Sequence, residues 1–325
     1  MDVARALYAR PRQSKDRRMS RRPQRKISVV GAQHFCAPPT QAYPPGTTRF
    51  RFFLVIPALL LFSLAVPHST SAWGSNGQRL VLNKAIDTLP PDLRAFFDAN
   101  RSDLLRHVND PFDAIAKNPN ERHNHYLAFE KYGRFPFSAL PREYKAAVTK
   151  FGKSKLDANG LLPWQIGVYS QKLTEALKAG KWEEAKVDAA ILAYYVAEAH
   201  DPFNTTDNFD GRLSLQPGVN DRFGTILIDR YSSFFPMRPA DASFVIDPTD
   251  QAFEICLSSH ASLENILLAD RNSRRGETSF TDNYYDRFYN LVAPNLLHQL
   301  SDASTAVGSY WLTAWTNAGK PQLPH

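Results

Sequence analysis

Cysteine is almost missing from this 325-residue chain, which has only Cys36 and Cys256. Of the two, only Cys256 lies beyond residue 72, so the body of the chain has no internal disulfide and no cysteine-ligated zinc site. A lone thiol of that kind reads as a buried, weakly polar side chain. Strand patterns are just as scarce. Apart from a weak alternation at Phe244–Ile246 there is no alternating apolar and polar run, and there is no internal repeat. The G-x-S-x-G elbow, a phosphate-cradling glycine loop and H-E-x-x-H are all absent. A membrane-length apolar segment is absent as well. The run FFLVIPALLLFSLAV at 52–66 falls short of the ~20 residues a spanning helix needs.

Basic charge is abundant overall, with a formal net charge of +7, but it is unevenly placed. Residues 1–72 carry 12 Lys and Arg against 2 Asp and Glu, leaving 27 basic and 30 acidic residues in 73–325. The body is thus slightly acidic and offers no bulk electrostatic case for nucleic acid. The run at 52–66 follows Arg49 and Arg51 and precedes PHSTSA, the pattern of a secretory signal. Cleavage is expected after Ala72, with Thr70 at the −3 position and Trp73 as the new first residue. Residues 1–48 are rich in Arg, Pro and Ser without apolar periodicity, and read as a disordered basic leader. Met19 is an alternative start, and an uncleaved signal anchor is the alternative to cleavage. The expectation is an exported chain, periplasmic or secreted and not transmembrane after cleavage, with a signal segment at 49–72.

The body reads as one all-α domain over 73–320. Residues 163–179 place Ile166, Tyr169, Leu173, Ala176 and Leu177 on one helical face, with Pro163 in the first turn and Gly180 past the end. Residues 182–200 align Ala185, Ala189, Leu192, Val196 and Ala199, and Pro202 ends that helix. Two further amphipathic stretches are 251–270 and 283–316. The second carries Phe288, Leu291, Val292, Leu296, Leu300, Val307, Trp311 and Ala314. Arg271, Arg274 and Arg275 read as a solvated loop cluster.

An ordered set of short motifs then stands out. WGSNG opens the body at Trp73–Gly77, and HYL follows at His125–Leu127. FPF at 135–137, Leu140-Pro141 and LPW at 162–164 come next. YYVAEAHDPFN spans 194–204, followed by NFDG at 208–211, GVNDRF at 218–223 and AWTNAG at 314–319. In order and spacing this set resembles the zinc-dependent phospholipase C and mung-bean-type single-strand nuclease superfamily, in particular its bacterial members. The resemblance implies a helical domain holding three zinc ions in a cleft. There, metal-bound water, its pKa lowered to about 7, attacks a phosphodiester.

Carried over residue by residue, the implied ligand set is depleted. Trp73, whose amine and carbonyl would bind metal, is present, as is His125. Asp110 and Asp113 are alternatives for the first metal-binding aspartate. Glu198 stands where the bridging aspartate belongs. Gln78, Tyr194, Asn204 and Asn220 replace histidines, and Gly224 replaces an acidic residue. Amide and phenol groups are poor zinc ligands beside imidazole and carboxylate. Only the position served by Asp110 or Asp113, His125 and Glu198 keeps three donors. That leaves room for one weakly held zinc or none, and a trinuclear site is not expected. His123, His200, Asp201, Asp207 and Asp210 read as surface or capping groups rather than displaced ligands. His125 fits equally a ligand and a satisfied core histidine.

Three readings follow. The first is a catalytically inactive relative that keeps the fold and binds an unidentified ligand in the cleft. The second is a metal-dependent phosphodiesterase or nuclease with a single-metal site at Asp113, His125 and Glu198. The third is a structural or interaction protein whose cleft is filled by side chains.

Overall fold

A run of alanines broken by Tyr194 and Tyr195 builds the helix around which the others gather. The computed structural model describes residues 73–324, all within the unit Leu64–His325. The expected leader, signal segment and cleavage point lie outside the described residues. The helices are α1 (Gly74–Asp87), α2 (Pro91–Ala99), α3 (Arg101–His107), α4 (Asp110–Lys117), α5 (Tyr144–Phe151) and α6 (Lys153–Asn159). They continue with α7 (Leu162–Lys178), α8 (Trp182–Ala199), α9 (Leu227–Tyr231), α10 (Pro248–Ala261), α11 (Leu263–Arg274) and α12 (Asp282–Asn317). Among the described residues there is no strand, in keeping with the all-α expectation. No helix among them is long and apolar enough to cross a membrane.

α8 is buried on every side, packed by α7, α12, α3 and α1. A helix that is apolar all round belongs in a core, and small alanines let its neighbours approach. Trp311 of α12 lies against it, donating Nε1–H to Ala189 O at 3.0 Å while stacking on Phe97 at 4.3 Å. Trp73 donates Nε1–H to Ala197 O at 2.7 Å, fixing the start of α1 against α8. Cys256 is a free, fully buried thiol, and desolvation pushes its pKa up.

Several expectations need correction. The stretch 251–270 is two helices that meet at Ser262, whose backbone N–H (3.0 Å) and hydroxyl (2.8 Å) both donate to Ser259 O. Leu291 is 55% exposed, since it sits at the edge of the α12 stripe whose centre is Phe288, Val292 and Leu296. Arg271 and Arg274 lie in the last turn of α11, and Arg274 stacks over Phe280 at 4.6 Å. Phe244–Ile246 is extended but pairs with no strand.

That last segment belongs to a strap over 236–247 that crosses α12. Its amide hydrogens need acceptors, and a stripe of hydroxyls at four-residue spacing supplies them. Arg238 N–H donates to Ser301 Oγ (3.3 Å), Ala240 to Thr305 Oγ1 (2.9 Å), Ser243 to Ser309 Oγ (3.0 Å) and Val245 to Thr313 Oγ1 (2.8 Å). Four helical residues rise about 6 Å and two extended residues span nearly the same, so the two repeats stay in step. The extra residue between Ala240 and Ser243 is taken up where Ala242 N–H turns to Thr88 O, the end of α1, at 2.9 Å. Gly308 permits this approach, since a methyl there would stand 2.0 Å from Thr88 Oγ1.

Replacing Thr305 by Val together with Ser309 by Ala should strip two strap amides of acceptors and cost ~1–3 kcal/mol. Urea unfolding checks the loss. Hydrogen exchange at Ala240 and Ser243 should quicken before the rest of the chain does.

Candidate functional site

Glu198 sits in the last turn of α8 with 2% of its surface exposed, and everything near it answers that buried carboxylate. Gln78 of α1 donates Nε2–H to Oε1 at 2.8 Å. Asn204, in the turn Pro202–Thr205 after α8, donates Nδ2–H to Oε2 at 2.9 Å. A carboxylate only accepts, so both amides must turn their NH2 groups toward it. The carbonyl oxygen of Gln78 is then left buried without a partner.

His125 ends the 3-10 segment Pro119–His125 and lies between two acids. Its Nδ1 is 3.2 Å from Tyr194 Oη and 3.7 Å from Glu198 Oε2, and its Nε2 is 3.9 Å from Glu121 Oε1. Glu121 is held in turn by Asn124 Nδ2–H at 3.1 Å and by the Tyr195 hydroxyl. Burial first, and then that bond to Glu121, push the Tyr195 phenol well above its usual pKa. Asn220 precedes a π-turn at Asp221–Ile226, and its Oδ1 is buried and unpartnered. Single π-turns of this kind often occur at functional sites.

Of these groups His125, Tyr194, Glu198, Asn204 and Asn220 line a cavity of about 330 Å³. Phe112, Ile115 and Phe209 contribute apolar wall, and Arg122 and Lys131 also line it. Lys131 is paired with Asp207 at 2.7 Å.

The structure thus brings together Gln78, His125, Tyr194, Glu198, Asn204 and Asn220. Asp110 and Asp113 are not among the residues lining this cavity. Asp110 accepts from His107 Nδ1 at 2.7 Å, and Asp113 is exposed on α4. Trp73 is buried, and its carbonyl accepts Gly77 N–H at 3.1 Å in the first turn of α1. Gly224 lies in the π-turn and offers no side chain. Among the described residues no three His, Cys, Asp or Glu side chains form a metal-binding group.

Glu121, Arg122 and Lys131 were not singled out in the sequence. Glu121 had a readable signal, since it precedes His125 by four residues. Two of the residues read as surface or capping groups do cap, but from buried positions. His200 caps α8 with 5% exposure, its Nδ1 2.8 Å from Val196 O. Asp201 is fully buried, with Oδ1 accepting Phe203 N–H at 2.7 Å and Oδ2 unpartnered. Desolvation lowers the His200 pKa to about 4 and raises that of Asp201 well above 3.8.

No protein-family model matches the chain, and no curated protein matches it. Among solved structures, the alpha toxin from Clostridium absonum is similar, with a TM-score of 0.47 and 10% identity over 79% of this chain and 67% of that chain. A likeness that distant transfers neither activity nor ligand.

Two outcomes are expected. Gln78→Leu strips a buried carboxylate of one hydrogen bond and should destabilise the fold by about 1.5–3 kcal/mol in urea unfolding. The neutral, buried His200 contributes stability that is present above pH 6.5 and lost as pH falls from 6.5 toward 4, a swing of about 3 kcal/mol. His200→Gln should flatten that part of the stability–pH curve. Asp201 acts in the opposite sense, its contribution full below pH 3.8 and lost as pH rises.

Proposed function

We propose that this chain is a catalytically inactive relative of the zinc-dependent phospholipase C and nuclease type, keeping the cleft as a ligand-binding site. One observation carries the reading: both oxygens of Glu198 are engaged by amide NH2 groups, from Gln78 and Asn204. In a zinc cluster that carboxylate would face cations. Here the positive ends of two dipoles meet that carboxylate instead, and an NH2 group cannot donate electrons to a metal. The donor set therefore does not fit a zinc cluster. Nor does it fit the reduced single-metal arrangement, because Asp110 is committed to His107 and Asp113 lies on the exposed face of α4.

The ordered motifs from Trp73 to Gly319 support kinship with that superfamily, and the open cavity of about 330 Å³ supports binding over a purely structural role.

The test is elemental analysis of the purified protein followed by assay with a chromogenic phosphodiester in added Zn²⁺. The expected result is no stoichiometric zinc and no turnover above buffer. Combined back-substitution of His at Gln78, Tyr194, Asn204 and Asn220, with Glu198→Asp, should raise zinc uptake. Two or three tightly held zinc ions in the unmodified protein would end this reading.

A further inference from the structure

A second cavity, about 860 Å³, lies between the strap, α10 and α12, with His200 in its wall. Its hydrogen-bonding inventory is lopsided. The hydroxyl donors along its buried wall are already spent inside the fold. Ser259 Oγ–H goes to Ala199 O (2.8 Å), Ser309 Oγ–H to Thr305 O (2.8 Å), and Tyr310 Oη–H to Pro248 O (2.7 Å). His200 Nδ1 faces a carbonyl, which only accepts, so that nitrogen carries the proton and Nε2 presents a lone pair. Nε2 has no protein partner, although the residue is 95% buried and lines the cavity.

The charge is lopsided too. Four carboxylates line this groove, and neither Lys nor Arg does. Asp250 and Glu254 are both held by Arg142 from outside it. Asp247 caps α10 through Thr249 N–H and Asp250 N–H, and Asp302 is approached by His298 at 3.3 Å. These last two carboxylates meet no lysine or arginine. Beside them the strap exposes apolar surface at Phe244 and Ile246, 49% and 93% exposed.

An anion meets only like charge here, and a neutral polyol leaves that charge unanswered and finds few free donors on the buried wall, the Gln299 amide aside. A bare divalent cation lacks a converging ligand set, because no three acidic or imidazole groups come together. What fits is a ligand that donates several hydrogen bonds, carries positive charge and has methylenes between its charged ends. We propose that the groove binds an alkyl polyammonium. Its N–H groups donate to His200 Nε2 and to the carboxylates of Asp247 and Asp302, and its methylenes lie along Phe244 and Ile246.

The test uses spermidine as probe with the full-length protein at physiological salt. Calorimetric titration should show saturable binding to a single site. The double variant Asp247→Asn/Asp302→Asn keeps side-chain size and the α10 cap, and should weaken binding roughly tenfold or more, the loss expected when charge-assisted hydrogen bonds become neutral ones. In protein carrying ¹⁵N-labelled histidine, the unprotonated Nε2 resonance of His200 should move upfield on saturation, a readout that needs no substitution in the core. Neither sorbitol nor MgCl2 should compete. Absence of saturable binding, affinity unchanged in the double variant, an unmoved His200 resonance, or equal binding of sorbitol or Mg²⁺ would each overturn the proposal.

Discussion

A carboxylate with 2% exposure must be compensated by something, and at Glu198 two side-chain amides supply it. This demand organises the surrounding fold. It fixes α1 against α8 through Gln78, and it holds the turn Pro202–Thr205 back onto the end of α8 through Asn204. It also sets which way both amides face, and so leaves the Gln78 carbonyl oxygen without a partner. Asn220 adds a second orphan acceptor at the same place. The cavity lining thus offers the Glu198 carboxylate and the Asn220 carbonyl oxygen as acceptors, while Arg122 and Lys131 bring donors elsewhere in it.

Much of the helical architecture could be read directly. Pro163 and Gly180 bracket α7, and the alanine stripe of α8 is buried as expected. The misreadings have local causes. A single turn at Ser262 divides a periodic stretch into α10 and α11, and periodicity cannot register one closed turn. The weak alternation at Phe244–Ile246 belongs to the strap, because extended chain and strand share side-chain alternation. The difference lies in where its amide hydrogens go, namely to Ser301, Thr305, Ser309 and Thr313. Those hydroxyls are evenly spaced in the sequence, yet spacing alone does not distinguish a capping ladder from an ordinary polar face.

The site was legible only through the ordered motifs. Nothing in the composition says that Gln78, some 120 residues from Glu198, will meet it. The two residues after α8 show the limit most clearly. His200 and Asp201 stand where a helix end meets a proline, ordinarily solvent territory. They are buried because α8 is enclosed on all sides and the chain leaves it through another buried turn.

The strap lies across two helices, α1 and α12, that already pack against each other. Along most of its length it is held by α12, but at Ala242 it is fastened to Thr88, just past the end of α1. The opposite end of α1 carries Gln78. Anything that pried the strap outward would have to sever that fastening to the helix that positions an amide over Glu198. The strap is therefore at once a wall of the larger cavity and, through Thr88, a brace on the helix that carries Gln78 to Glu198.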